Sequence, residues 1–91
     1  MAIVTLRYWA AAKEAAGVAE EKVDASTLAA ALAEGLAAAS DRAGVQADRL
    51  ELVLARCSFL VDGQQAGTRP HEAVVLSADS VIEVLPPFAG G

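Results

Sequence analysis

Chemistry in a short chain must come from a few side chains. Here the candidates are His71, Cys57, the acids Glu14, Glu20 and Glu21, and the serines. His71 is the only histidine and lies in a polar stretch with Pro70, where a solvated imidazole is expected. One histidine and one cysteine cannot supply the three or four ligands of a transition-metal site, so no metal centre is expected. Cys57 would act as a nucleophile only as an exposed thiolate with a base beside it. Its apolar strand-like surroundings predict a core position instead. No serine sits in a G-x-S-x-G elbow, and the glycines form neither a dinucleotide fingerprint nor a phosphate loop. The acids fall at adjacent or helix-surface positions that a solvated face explains.

The remaining candidate is the closing run Pro86, Pro87, Phe88, Ala89, Gly90 and Gly91. Two prolines fix φ and stiffen the exit from whatever precedes them. Phe88 is an aromatic anchor suited to a partner's pocket. Ala89, Gly90 and Gly91 carry almost no side chain, so this thread can enter a channel in which a Cβ would clash. What it delivers is the α-carboxylate of Gly91. That group is ionised at neutral pH and is a poor electrophile. It must be activated, most simply as an acyl-adenylate made by an ATP-using partner, before sulfur or an amine can attack it. The tail therefore reads as a C-terminal acyl carrier.

Composition agrees with a carrier more readily than with a self-contained enzyme. The 91 residues make one small domain, and 22 of its hydrophobic residues are alanine, so the core is small and leaves little room for a deep pocket. A net charge of −5 argues against nucleic acid and against an anionic membrane surface, and favours a basic protein partner. A single cysteine excludes an internal disulfide framework. The N-terminus has no signal-peptide pattern, and no apolar run is long enough to span a membrane. A cytoplasmic protein is expected.

The elements that must hold such a tail follow from periodicity. Ile3 to Trp9 alternates with period two and predicts a strand. WAAAKEAAG predicts a short helix stopped at Gly17. Val18 to Val23 predicts a second strand, antiparallel to the first. Ser26 or Thr27 caps a main helix on which Leu28, Leu32 and Leu36 form a stripe. Gly35 is an unexplained cost in that helix. Ser40 to Asp48 reads as loop with room for a helical turn. Arg49 to Arg56 fits either a strand, through Leu50, Leu52 and Leu54, or a helix. Cys57 to Val61 reads as a strand, Asp62-Gly63 as a tight turn, and Gln64 to Gly67 as a brief return. Thr68 to Ala73 reads as loop, and Val74 to Asp79 as a turn or short strand. Val81 to Leu85 is the last strand, ended by Pro86-Pro87. Strands flanking one main helix indicate α+β. If the first and last strands lie side by side in the middle, the arrangement is a β-grasp; a β-grasp domain over 1–85 and an extended tail over 86–91 are expected.

Three segments carry a resemblance. VIEVLPPFAGG, RYWAAAKEAAG and ARCSFLVDG together resemble the small subunit of molybdopterin synthase, across essentially the whole chain. That family belongs to the ubiquitin-like MoaD/ThiS superfamily of sulfur carriers, which includes the thiamine-pathway carrier. The resemblance implies a mechanism. A ubiquitin-activating-like adenylyltransferase adenylates Gly91 with ATP and Mg²⁺. A sulfur donor converts the adenylate to a thiocarboxylate. The large synthase subunit receives the tail, and sulfur passes to a pterin precursor. The carrier itself binds no cofactor and supplies no acid or base. A heterotetramer with two copies of each subunit is implied. Trp9, Lys13 and Leu60 are candidates for the face that docks the partners. A carrier for cysteine or thiamine biosynthesis, and a ubiquitin-like interaction module or modifier without sulfur chemistry, remain the alternatives.

Overall fold

The computed structural model describes residues 2–87. Along the chain run β1 (Ile3–Tyr8), α1 (Ala10–Ala16), β2 (Glu20–Asp24), α2 (Leu28–Ser40), α3 (Ala47–Leu54), β3 (Ser58–Val61), β4 (Gln64–Gln65), a 3-10 turn (His71–Ala73) and β5 (Val81–Leu85). The strands form one sheet in the order β2-β1-β5-β3-β4. β1 and β5 are parallel neighbours, and the other pairings are antiparallel. The first and last strands thus lie together inside the sheet, as the β-grasp expectation requires.

Alternation in β1 decides which side of the sheet is covered. Val4, Leu6 and Tyr8 are buried, while Ile3, Thr5 and Arg7 point to the open side. Ile82 and Val84 of β5 and Phe59 of β3 join the buried set. Three helices pack on that side: the expected short helix α1, the expected main helix α2, and α3. The Arg49–Arg56 ambiguity resolves as α3: Leu50 and Leu54, four apart, are buried, while Leu52 is 72% exposed. An alternating strand would have put all three leucines on one face.

α2 corrects the expected leucine stripe. Its buried line is Leu28, Ala31, Gly35 and Ala39, with Leu32 and Leu36 half-buried on the flank. Small residues face the sheet because Tyr8 and Leu6 rise toward the helix there. A Cβ at Gly35 would stand 2.6 Å from Tyr8 Oη and 2.9 Å from Leu6 Cδ1. The glycine that propensity alone counts as a cost is the space into which Tyr8 fits. Thr27, one of the two expected caps, accepts from Ala30 N–H at 3.1 Å, a bond of about 1 kcal/mol.

Turn chemistry follows the sequence closely. Gly17 ends α1 with φ +81°, and its N–H donates to Lys13 O. Asp62 and Gly63 both have positive φ, as a type I′ hairpin turn demands. β2 begins at Glu20, later than the expected Val18, and the Ala19 carbonyl just before it accepts from Tyr8 N–H at 2.8 Å. Cys57 precedes β3 rather than opening it, and the return strand shortens to Gln64–Gln65.

One polar network ties the helices to the sheet edge. Tyr8 Oη–H donates to Glu21 Oε2 at 2.7 Å. Arg42, just past α2, pairs with Glu21 Oε1 and also donates to Ala16 O at the end of α1. Burial, the hydrogen bond to Glu21 and that carboxylate's charge push the Tyr8 phenol well above its usual range. The phenol therefore stays protonated and remains a donor.

Candidate functional site

β5 is the element that leads into Pro86-Pro87. It is paired on both sides, to β1 through Thr5↔Val81 to Tyr8↔Val84 and to β3 through Ser58↔Leu85 to Val61↔Ile82. A strand bonded on both edges is held more firmly than an edge strand. Its ladder stops at Leu85, and Pro86-Pro87 follow without strand pairing, in keeping with the missing N–H groups. Phe88, Ala89, Gly90 and Gly91 lie outside the described residues.

Residues flanking the root of the tail come from β1 and β3. Trp9 N–H donates to Val84 O at 3.2 Å. Trp9 has extended backbone (φ −116°, ψ 149°) and continues the outward set of β1. It is 45% exposed. On the same open face, one outward row before Trp9, lie Arg7, Glu83 and Leu60, since Arg7 pairs with Glu83 and Glu83 with Leu60. Of the three expected docking residues, Trp9 and Leu60 thus share the open side of the sheet. Lys13 does not join them. It sits on the exposed side of α1, at an open depression of ≈ 390 Å³ lined also by Glu14, Gly17, Val18 and Ala19. Lys13 and Glu14 bring charge to that depression, but it holds no cysteine, histidine or serine.

Two candidate side chains depart from expectation. Cys57 is half-buried rather than fully within the core, packed on its flank. Its thiol donates to Val53 O at 3.2 Å. Desolvation pushes the thiol up to about 11, so it stays protonated at neutral pH. At pH 8 its reaction with a disulfide reagent should be about a hundredfold slower than that of a thiol of ordinary acidity, because the thiolate fraction falls tenfold per unit. Denaturation should restore the ordinary rate. A native rate matching the denatured one would show that the thiol is not withheld.

His71 is partly buried rather than freely solvated. Its ring meets Phe59 edge-on, with centroids 5.1 Å apart and planes at 83°. From the 3-10 turn it packs against a core ring of β3. Among the described residues no three His, Cys, Asp or Glu side chains converge as a metal site would need. No helix among them is long and apolar enough to cross a membrane.

Asp62 is a working residue that sequence reasoning saw only as a turn. Its carboxylate accepts from Ser80 Oγ–H at 3.0 Å and from Val81 N–H at 2.9 Å. It thereby ties the β3–β4 turn to the first residue of β5. The aspartate in the turn signal and the serine preceding the last strand are the sequence traces of this clamp.

Comparison with known proteins agrees with this geometry. The chain superposes on small archaeal modifier protein 1 from Methanosarcina acetivorans with a TM-score of 0.77 at 20% identity, covering 100% of this chain and 98% of that one. The Haloferax volcanii protein of the same name gives 0.75 at 21%, over 98% and 99%. A chain from the complex of subunits 1 and 2 of the molybdopterin-converting factor of Helicobacter pylori gives 0.64 at 21%, over 98% and 99%. At such identities the likeness establishes the β-grasp fold. No curated protein matches the chain in sequence. The ThiS family model, however, matches residues 6–91, from the first strand through the Gly-Gly end. The chain belongs to the ThiS family.

Proposed function

We propose that this chain is the sulfur carrier of molybdenum-cofactor biosynthesis, acting as the small subunit of a molybdopterin synthase. The observation that carries the proposal is the exit from the sheet. A strand paired on both edges runs directly into Pro86-Pro87, and the sequence then reads Phe-Ala-Gly-Gly. Membership of the ThiS family supports the broader part, a ubiquitin-like carrier or modifier. The choice of pathway rests on LPPFAGG, RYWAAAKEAAG and ARCSFLVDG, and is in keeping with the fold shared with the Helicobacter pylori converting-factor chain.

On this reading the Gly91 carboxylate attacks the α-phosphate of ATP in an Mg²⁺-dependent adenylyltransferase, and pyrophosphate leaves. A sulfur donor attacks the acyl-adenylate, AMP leaves, and a thiocarboxylate remains. In the large synthase subunit the sulfur is transferred to a pterin precursor, and water restores the carboxylate. The carrier supplies the acyl group and its delivery. The protein's net charge of −5 suits basic partner surfaces.

Intact-mass measurement tests the proposal. The chain is incubated with its activating enzyme, ATP, Mg²⁺ and sulfide, and then with the large subunit and the pterin precursor. An oxygen-to-sulfur mass change, reversed as dithiolene forms, is expected. A terminus that stays a carboxylate sinks the carrier reading. A thiocarboxylate consumed only by a thiazole or cysteine synthase sinks the choice of pathway. The small archaeal modifier proteins that share the fold suggest a second fate, attack by a lysine amine. It would appear as isopeptide-linked conjugates.

A further inference from the structure

Ala10 has φ +48°, in the left-handed region that alanine seldom enters. It is the first residue of α1 and follows Trp9 directly, so the chain turns from extended strand to helix with no loop between. Trp9 is held on both sides of its backbone. Its N–H donates to Val84 O, and its carbonyl accepts from Ala12 N–H at 3.0 Å and Lys13 N–H at 3.3 Å. Tyr8 pairs with Val84 in parallel register, so Trp9 stands one step further on, level with Leu85 and next to the start of the tail. Strain of this kind persists only where the surroundings over-determine the backbone, and it concentrates at functional positions. Burial of the indole does not explain it, because Trp9 is 45% exposed.

We propose that Ala10 is a positioning residue: its left-handed backbone fixes the Trp9 indole beside the root of the C-terminal tail and so sets how the tail is presented to a partner enzyme. The presentation part rests on the carrier reading above; the fixing of Trp9 does not. Without the left-handed residue the strand could not pass into the helix at Trp9, and the indole would leave the row of outward residues. A glycine accepts the same backbone without strain but also accepts others, so it keeps the fold and loosens the ring.

Trp9 is the only tryptophan in the chain, so its fluorescence reports on this site alone. In Ala10→Gly the melting temperature should be little changed. Acrylamide quenching of Trp9 should rise and its anisotropy fall. With the activating enzyme, KM for the carrier should rise several-fold at unchanged kcat. In a Trp9→Ala background, Ala10→Gly should add nothing to the KM. Unchanged quenching and anisotropy in Ala10→Gly would overturn the fixing of Trp9, and a KM effect additive with Trp9→Ala would overturn action through the indole. If the parent chain is never adenylated, the carrier reading and the presentation role fall together, while the fluorescence still decides whether Ala10 fixes Trp9.

Discussion

Gly35→Ala is expected to destabilise the fold by about 2 kcal/mol, although alanine is the better helix former. The propensity gain is about 1 kcal/mol. Against it stands a methyl group 2.6 Å from Tyr8 Oη and 2.9 Å from Leu6 Cδ1. Neither neighbour yields easily: Leu6 and Tyr8 are both buried, and Tyr8 is held by its bond to Glu21. Overpacking of this kind costs about 1–3 kcal/mol, and weakening, without breaking, the phenol–carboxylate bond adds about 1 kcal/mol. A domain of this size loses roughly 4–8 °C of Tm per kcal/mol, so thermal melting should drop by about 10 °C. Tyr8→Phe removes the closer of the two contacting atoms. The double variant Tyr8→Phe/Gly35→Ala should therefore be more stable than the sum of the single effects predicts. Additive losses would mean that α2 shifts as a body, and that the hydroxyl is not what the glycine accommodates.

Gly35 also shows where reading the sequence reached its limit. Strand alternation, the Gly17 stop, the Asp62-Gly63 turn and the diproline end are local signals, and each appears in the structure where expected. The buried line of α2 is not local. A leucine stripe is the natural guess from one helix alone, but the sheet presents Tyr8 and Leu6 at its middle, so the helix turns its small residues inward. The same holds for α3, whose alternating leucines satisfy two periodicities until the exposure of Leu52 decides between them. Cys57 and His71 depart from their sequence patterns for a related reason. Each borders the core rather than lying inside or outside it, and a sequence pattern sorts residues only into those two classes. The open face was readable as residue types but not as a row. Only the parallel register of β1 with β5 puts Trp9 level with the tail's root and Leu60 across from Glu83. Pairing between chain ends has no signature in either segment by itself.

Deleting Gly91 is expected to abolish sulfur loading while leaving the melting temperature where it was. Among the described residues every ladder pairing and every core residue lies at or before Leu85, so all of these remain in the deletion variant. The shortened chain would still end in a carboxylate, and that is what makes the test sharp. If any terminal carboxylate sufficed, loading would survive the deletion with Gly90 in its place. Loss of loading means that the reach from the sheet to the reacting carbon is set by the number of residues past Pro87. Gly91→Ala keeps the length and adds one methyl group beside the carbonyl. In a channel shaped for a bare backbone, a clash of about 1–3 kcal/mol slows adenylation by roughly ten- to a hundredfold. Phe88→Ala should instead raise KM and leave kcat alone, because an anchor remote from the reacting carbon contributes equally to ground and transition states. The three variants separate reach, clearance and anchoring by intact mass and steady-state rates. Undiminished loading in the deletion variant would show that any terminal carboxylate suffices, and that the length of the tail past Pro87 does not set the reach.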